Sequence, residues 1–176
     1  MTQPYPWPFD GRCDAARLAL VVAGAQAWWL ARTAEPLIAI EVLARAAKVV
    51  RDAGGAVVVL RHAARGDLVL DPEPGDMVVS CAGMSGFSGG PLDLRLRAMD
   101  VDRLAVGGLG LESAVYSTLG AANDRGYECL TLADAAAPHD PAVAQRALAS
   151  ITMSGGIFGA VGTTSELLES LEKEHA

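Results

Sequence analysis

At 176 residues, 51% of them hydrophobic and 20% charged, the chain has the length and composition of one folded domain with a sizeable core. Its net charge of -7 argues against non-specific binding to nucleic acid or to an anionic membrane, since both select a basic surface. No stretch approaches the roughly 20 apolar residues of a membrane span, and the proline-bearing start lacks the pattern of a signal peptide, so a cytoplasmic protein is expected.

Residues 1–16 read as an N-terminal arm with Tyr5, Trp7 and Phe9 between prolines, extended because a residue before proline avoids the helical region. Residues 17–176 read as a single domain. The apolar run Arg17 to Ala23 predicts a strand buried on both faces. Thr33 to Asp52 carries Leu37, Ile40, Leu43, Ala47 and Val50 at helical spacing, and Gly54-Gly55 ends it. Gly55 to Leu60 is a second strand with Arg61 and His62 at its carboxyl end, and Met77 to Cys81 a third. A glycine-rich turn, Ser85 to Gly90, feeds a helix over Pro91 to Met99.

Leu104 to Gly108 is a fourth strand, followed by a helix from about Glu112 to Asp124. Glu128 to Ala133 is a fifth. Asp140-Pro141 opens a helix to about Met153, Ile157 to Val161 is a last short strand, and Thr164 or Ser165 caps a closing helix from Glu166 to Glu174. Strands alternating with helices predict a three-layer α/β fold with a mostly parallel, Rossmann-like sheet of five or six strands. Cys13, Cys81 and Cys129 are odd in number and widely spaced with no C-x-x-C, so they read as thiols, with neither a disulfide framework nor a metal site expected.

In such a sheet, ligands bind at the carboxyl ends of the strands. The glycine-rich turn Gly107-Gly-Leu-Gly-Leu-Glu-Ser-Ala114 lies there, and Gly110 to Ala114 is where chemistry is expected. Gly108-Leu-Gly-Leu-Glu-Ser113, with Asp134 some twenty residues on, superficially matches a dinucleotide fingerprint. It lacks the third glycine and follows the wrong strand, so no nucleotide cofactor is expected. Glu112 suits a helix start, Asp134 a cap or loop hydrogen bond, and Ser85 and Ser113 structural hydrogen bonds, because no base is evident for either serine.

Several strings together resemble the isochorismatase-like cysteine hydrolases, the family of nicotinamidases, N-carbamoylsarcosine amidohydrolase, and biuret and ureidoacrylate hydrolases. Val21-Val-Ala-Gly-Ala-Gln-Ala-Trp-Trp29 is similar to the family's V-I-D-M-Q-x-D-F, with Gln26 on the glutamine. Cys81-Ala-Gly-Met-Ser-Gly-Phe-Ser-Gly-Gly-Pro-Leu92 resembles K-x-x-x-S-A-F-x-G-T-x-L, and Val106 to Val115 resembles the nucleophile turn V-T-G-V-A-T-N-V-C-V. Arg125-Gly-Tyr127 and Leu132-Ala-Asp-Ala135 add weaker matches. The resemblance implies hydrolysis by a Cys nucleophile, an Asp that moves the proton and a Lys that holds both charged. Residue by residue, the Asp position falls on Gly24, the Lys position on Cys81 and the Cys position on Ala114.

None of the three can play its implied part, so the expectation is a non-catalytic homologue, a pseudoenzyme acting as a structural or regulatory subunit. The resemblance implies oligomers, either homo-oligomers or hetero-oligomers with an active paralogue. Two alternatives stand beside it. One is a divergent amidohydrolase for an amide or urea-like C–N bond that uses Cys81 with His62, oriented by Glu112 or Asp10. The other is a small-molecule binder using the former pocket, lined by Gly110, Leu111, Ser113, Ala114, Trp28 and Phe87. Trp28, beside Trp29, stands where the family carries an acid and is expected to fill the pocket with indole. No cofactor is expected in any of the three.

Overall fold

Every residue of β1, Leu18–Ala23, is buried, as a strand covered on both faces requires. The computed structural model describes residues 13–172, in which β1 is joined by β2 (Ala56–His62), β3 (Met77–Cys81), β4 (Arg103–Leu109), β5 (Glu128–Ala137) and β6 (Ala160–Gly162). The strands form one sheet in the order β3-β2-β1-β4-β5-β6, with every neighbouring pair parallel. The chain winds outward one way from β1 and the other way from β4, so the strand order reverses between these two. That reversal opens a crevice at their carboxyl ends.

The helices are α1 (Ala27–Leu30), α2 (Pro36–Asp52), α3 (Leu92–Ala98), α4 (Tyr116–Asn123), α5 (Pro141–Gly156) and α6 (Thr164–Glu172). Alternation along β1 splits the core in two. Leu18, Leu20 and Val22 face α2 and α6, where Val42, Leu43, Ala46, Ala47, Val50, Leu167 and Leu171 meet them. Ala19, Val21 and Ala23 face α3, α4 and α5, through Leu92, Leu96, Leu119, Ala122 and Ile151. The result is the three-layer α/β fold anticipated from the alternation of elements.

Several boundaries move for identifiable reasons. Arg17 ends a 3-10 turn capped by the Asp14 carboxylate instead of opening β1, and Cys13 and Ala15 are buried, so the domain takes in the end of the arm. Residues 1–12, with Tyr5, Trp7, Phe9 and Asp10, lie outside the described part. The α2 helix begins at Pro36, whose fixed φ suits the first turn. Its buried stripe is Ala39, Val42, Leu43, Ala46, Ala47 and Val50, while Leu37 is 70% exposed. Both β2 and β5 run further than their apolar runs suggest, and β5 continues to Ala137 past a register shift between Val106 and Gly108 of β4. The β6 strand starts later, at Ala160.

The segment after β4 is not a simple α-helix. Leu111–Val115 forms a π-helical turn before α4, with the Val115 N–H reaching back to Gly110 O at 3.3 Å. No helix of the described residues is long and apolar enough to cross a membrane.

Candidate functional site

The crevice at the β1/β4 reversal is shaped by glycines. Gly24, just past β1, has φ +65°, and a Cβ there would lie 2.2 Å from Leu109 O and 3.2 Å from the Trp29 indole. Gly110, at φ +79°, would set a Cβ 2.4 Å from Ser113 Oγ and 2.7 Å from Trp29 Nε1. Neither position accepts a side chain without moving its surroundings. The space they free is filled by Trp29 of α1, which is fully buried. Its ring centroid lies 4.8 Å from that of His62, and its Nε1–H donates to Ser113 Oγ at 3.4 Å.

It is thus Trp29 whose indole occupies the crevice, where the sequence pattern suggests Trp28. Trp28 is half-buried at the rim, edge-on to Trp29 at 5.1 Å and to His139 at 6.2 Å between ring centroids. Arg32 and Arg65 lie 4.6 and 4.4 Å from its ring. Leu111 and Ala114 are both buried on the wall behind, and the Ala114 carbonyl accepts from Thr118 Oγ1 at 2.7 Å. The same hydroxyl accepts from the Gly86 N–H at 3.0 Å, which docks the turn after β3. Phe87 packs against Tyr127, 5.7 Å between ring centroids, with the Arg125 guanidinium 5.0 Å from its ring.

Gln26 organises the other side. Its Oε1 accepts from the His62 N–H at 2.7 Å, and its Nε2 donates to His62 O at 3.2 Å and Gly66 O at 2.7 Å. The amide clamps the end of β2 to the loop that follows. That loop folds back over α1, with Ala27 N–H donating to Asp67 O and Trp28 N–H to Arg65 O. Between them is a cavity of about 250 Å³ lined by Gln26, His62, Cys81, Arg61 and Arg65 among others.

Register puts His62 directly beside Cys81. His62 Nδ1 lies 3.0 Å from Gly83 O and 3.3 Å from Cys81 Sγ. A carbonyl oxygen only accepts, so Nδ1 carries the hydrogen and the lone pair sits on Nε2. Nε2 is buried and has no hydrogen-bond partner among the described residues. The nitrogen facing the sulfur therefore has nothing with which to take its proton. Burial pushes the Cys81 thiol up to about 11, while burial chiefly, and the Arg65 charge after it, hold His62 below its ordinary value against the Gly83 bond. Glu112 does not orient His62.

Glu112 instead serves His139, a residue that the sequence reading passes over. Its carboxylate accepts the His139 N–H at 2.9 Å and the Asp140 N–H at 3.0 Å, fixing the loop after β5 against the turn after β4. His139 Nδ1 lies 3.1 Å from Arg32 O and its Nε2 3.0 Å from Ser113 Oγ. Both side chains are half-buried. Asp134 caps α6, accepting from Thr164 N–H at 2.9 Å and Thr164 Oγ1 at 3.1 Å.

A doubly wound three-layer α/β protein, with its crevice at the strand-order reversal, is the class these features define. The isochorismatase domain model matches residues 19–166, and the chain belongs to the isochorismatase family. Curated relatives include the ureidoacrylate amidohydrolase RutB of Methylorubrum extorquens, 36% identical over 110 residues covering 61% of this chain. The match spans 42% of that relative's length. Among solved structures, a cysteine hydrolase from Pseudomonas syringae pv. phaseolicola superposes with a TM-score of 0.84 at 23% identity, covering 98% of this chain and 99% of that one. N-carbamoylsarcosine amidase from Thermoplasma acidophilum superposes with a TM-score of 0.71 at 25% identity, covering 84% of this chain and 96% of that one.

Proposed function

We propose that this chain is an isochorismatase-family homologue that has lost the family's Asp-Lys-Cys set, and that for thiol-dependent hydrolysis of amide and urea-like C–N bonds it is a pseudoenzyme. The observation that carries this reading is Trp29. A fully buried indole stands against Gly24, the family's Asp position, where a carboxylate would need space. The side chains at the three family positions agree with it. Gly24 moves no proton, Ala114 offers only a methyl group, and the Cys81 thiol is held protonated well above neutral pH.

Loss of one member of a catalytic set removes most of its rate, and here all three differ. The scaffold then serves as a structural or regulatory subunit, among its own copies or beside an active paralogue. Exposed apolar side chains on the first turn of α2, Leu37 and Ile38, and near the end of α5, Met153 and Ile157, support an assembling role. Ammonia release from ureidoacrylate, biuret, nicotinamide and N-carbamoyl amino acids tests the catalytic part. No release above the buffer rate is expected; release that Cys81→Ser abolishes would overturn the reading.

A further inference from the structure

Two histidines stand at the carboxyl edge of the sheet, and hydrogen bonding fixes the tautomer of each. In His139, as in His62, Nδ1 faces a carbonyl, that of Arg32 at 3.1 Å, and so carries the hydrogen. The lone pair is left on Nε2. In His62 that atom has no hydrogen-bond partner among the described residues; in His139 it meets the Ser113 hydroxyl at 3.0 Å. A base whose far nitrogen is anchored as a donor and whose near nitrogen accepts from a hydroxyl is the arrangement that activates a serine.

The surroundings of Ser113 favour the same chemistry. Its single hydroxyl hydrogen has two acceptors in reach, Gly110 O at 3.2 Å and His139 Nε2 at the shorter 3.0 Å. Trp29 Nε1–H donates to the oxygen at 3.4 Å, which turns the hydroxyl hydrogen away from the indole and toward these acceptors. The Glu112 carboxylate, held on the backbone N–H groups of His139 and Asp140, fixes the loop that carries the base. Ser113 is the third residue of the π-helical segment, one residue before the position the family gives to its thiol. Cys81 and His62 are each 3% exposed, whereas both residues of this pair are half-buried.

We propose that Ser113 and His139 form a nucleophile–base pair that takes an acyl group from small carboxylic esters, and that esters bearing a negative charge are preferred. The charge preference rests on Arg32 and Arg65, which flank Trp28 beside His139 and pair with no acidic side chain among the described residues. As Oγ bonds to the ester carbonyl carbon, its proton passes to Nε2. The C–O bond then breaks and the leaving alcohol takes that proton. A water attacks the acyl-serine, gives its proton to Nε2, and releases the carboxylic acid as the proton returns to Oγ. The proposal goes beyond the loss of thiol chemistry and does not depend on it, because neither residue is at one of the three positions of the Asp-Lys-Cys set.

The test is covalent labelling of the full chain by a fluorophosphonate, located by peptide mass spectrometry, together with release of nitrophenol from p-nitrophenyl acetate and mono-p-nitrophenyl succinate. The label is expected on Ser113, with labelling lost in Ser113→Ala and slowed about a hundredfold in His139→Gln, the usual worth of a general base. Ser117→Ala, one turn along, is expected to label as wild type. The succinate ester is expected to react faster than the acetate, and prior alkylation with iodoacetamide to leave both rates unchanged. No label on Ser113, or equal labelling in His139→Gln and wild type with both folded by circular dichroism, would overturn the pair. Equal rates for the two esters would overturn the charge preference. Nitrophenol release blocked by iodoacetamide would overturn the serine assignment, whereas ammonia release abolished by Cys81→Ser would overturn only the preceding reading.

Discussion

Removing a neutral imidazole from water favours its uncharged form, and His62 is deep enough for that cost to depress its protonation. In the unfolded chain the ring takes a proton near its ordinary value of 6.5, while in the fold it does so only at lower pH. The contribution of His62 is therefore fully present above about pH 6.5 and is lost as pH falls through the window below it toward the native value. Unfolding by urea at about pH 7.5 and about pH 5.5 should show wild type losing more stability on acidification than His62→Gln; equal losses would contradict this. At this scale the pairing of Cys81 with His62 is legible, since both end strands that prove to be adjacent. What is not legible is the hydrogen on Nδ1, because its acceptor, Gly83 O, comes from a turn whose path no periodicity encodes.

Elements decide what the residues meet. The four-residue helix α1 is too short to announce itself by periodicity, yet it drives Trp29 into the crevice and leaves Trp28 at the rim. His139 is missed for a related reason. A strand ending at Ala133 puts it in mid-loop, whereas β5 continues through Ala135-Ala136-Ala137, small residues that do not stand out as a β pattern. With the strand ended by Pro138, His139 falls at its carboxyl end beside the turn after β4. The loop between β2 and β3, which roofs α1, is pinned by Arg51, whose guanidinium donates to Asp76 through Nε at 2.7 Å and a second nitrogen at 2.9 Å, and to Glu73 at 3.0 Å. The Asp76 side chain is 2% exposed. Asp76→Ala should cost about 2 kcal/mol, below the full value of a buried pair because Arg51 reaches water. Chemical denaturation measures it, and a change under about 0.5 kcal/mol would mean the pin is dispensable.

The whole molecule was the most legible level. Apolar runs alternating with helical stripes imply a parallel sheet, and a chain that starts in the middle and winds both ways must bring the ends of β1 and β4 together. That places Gly24 beside the turn from Gly107 to Ala114 whatever the details of either. The outer boundaries, from the 3-10 turn at Ala15–Arg17 to the late start of β6, depended on packing that the local sequence does not record. The fold superposes on a cysteine hydrolase along nearly its full length, with an indole in its crevice, and architecture of this kind does not by itself carry a chemistry. The thiol mechanism needs a sulfur that ionises near neutral pH, and Cys81 lines the cavity beside the crevice. The rate of alkylation at Cys81, resolved by peptide mass spectrometry across the pH range, reads that directly. It should stay slow through neutrality and rise only toward the thiol's value of about 11; a rise centred near neutral pH would show a working thiolate and contradict the account.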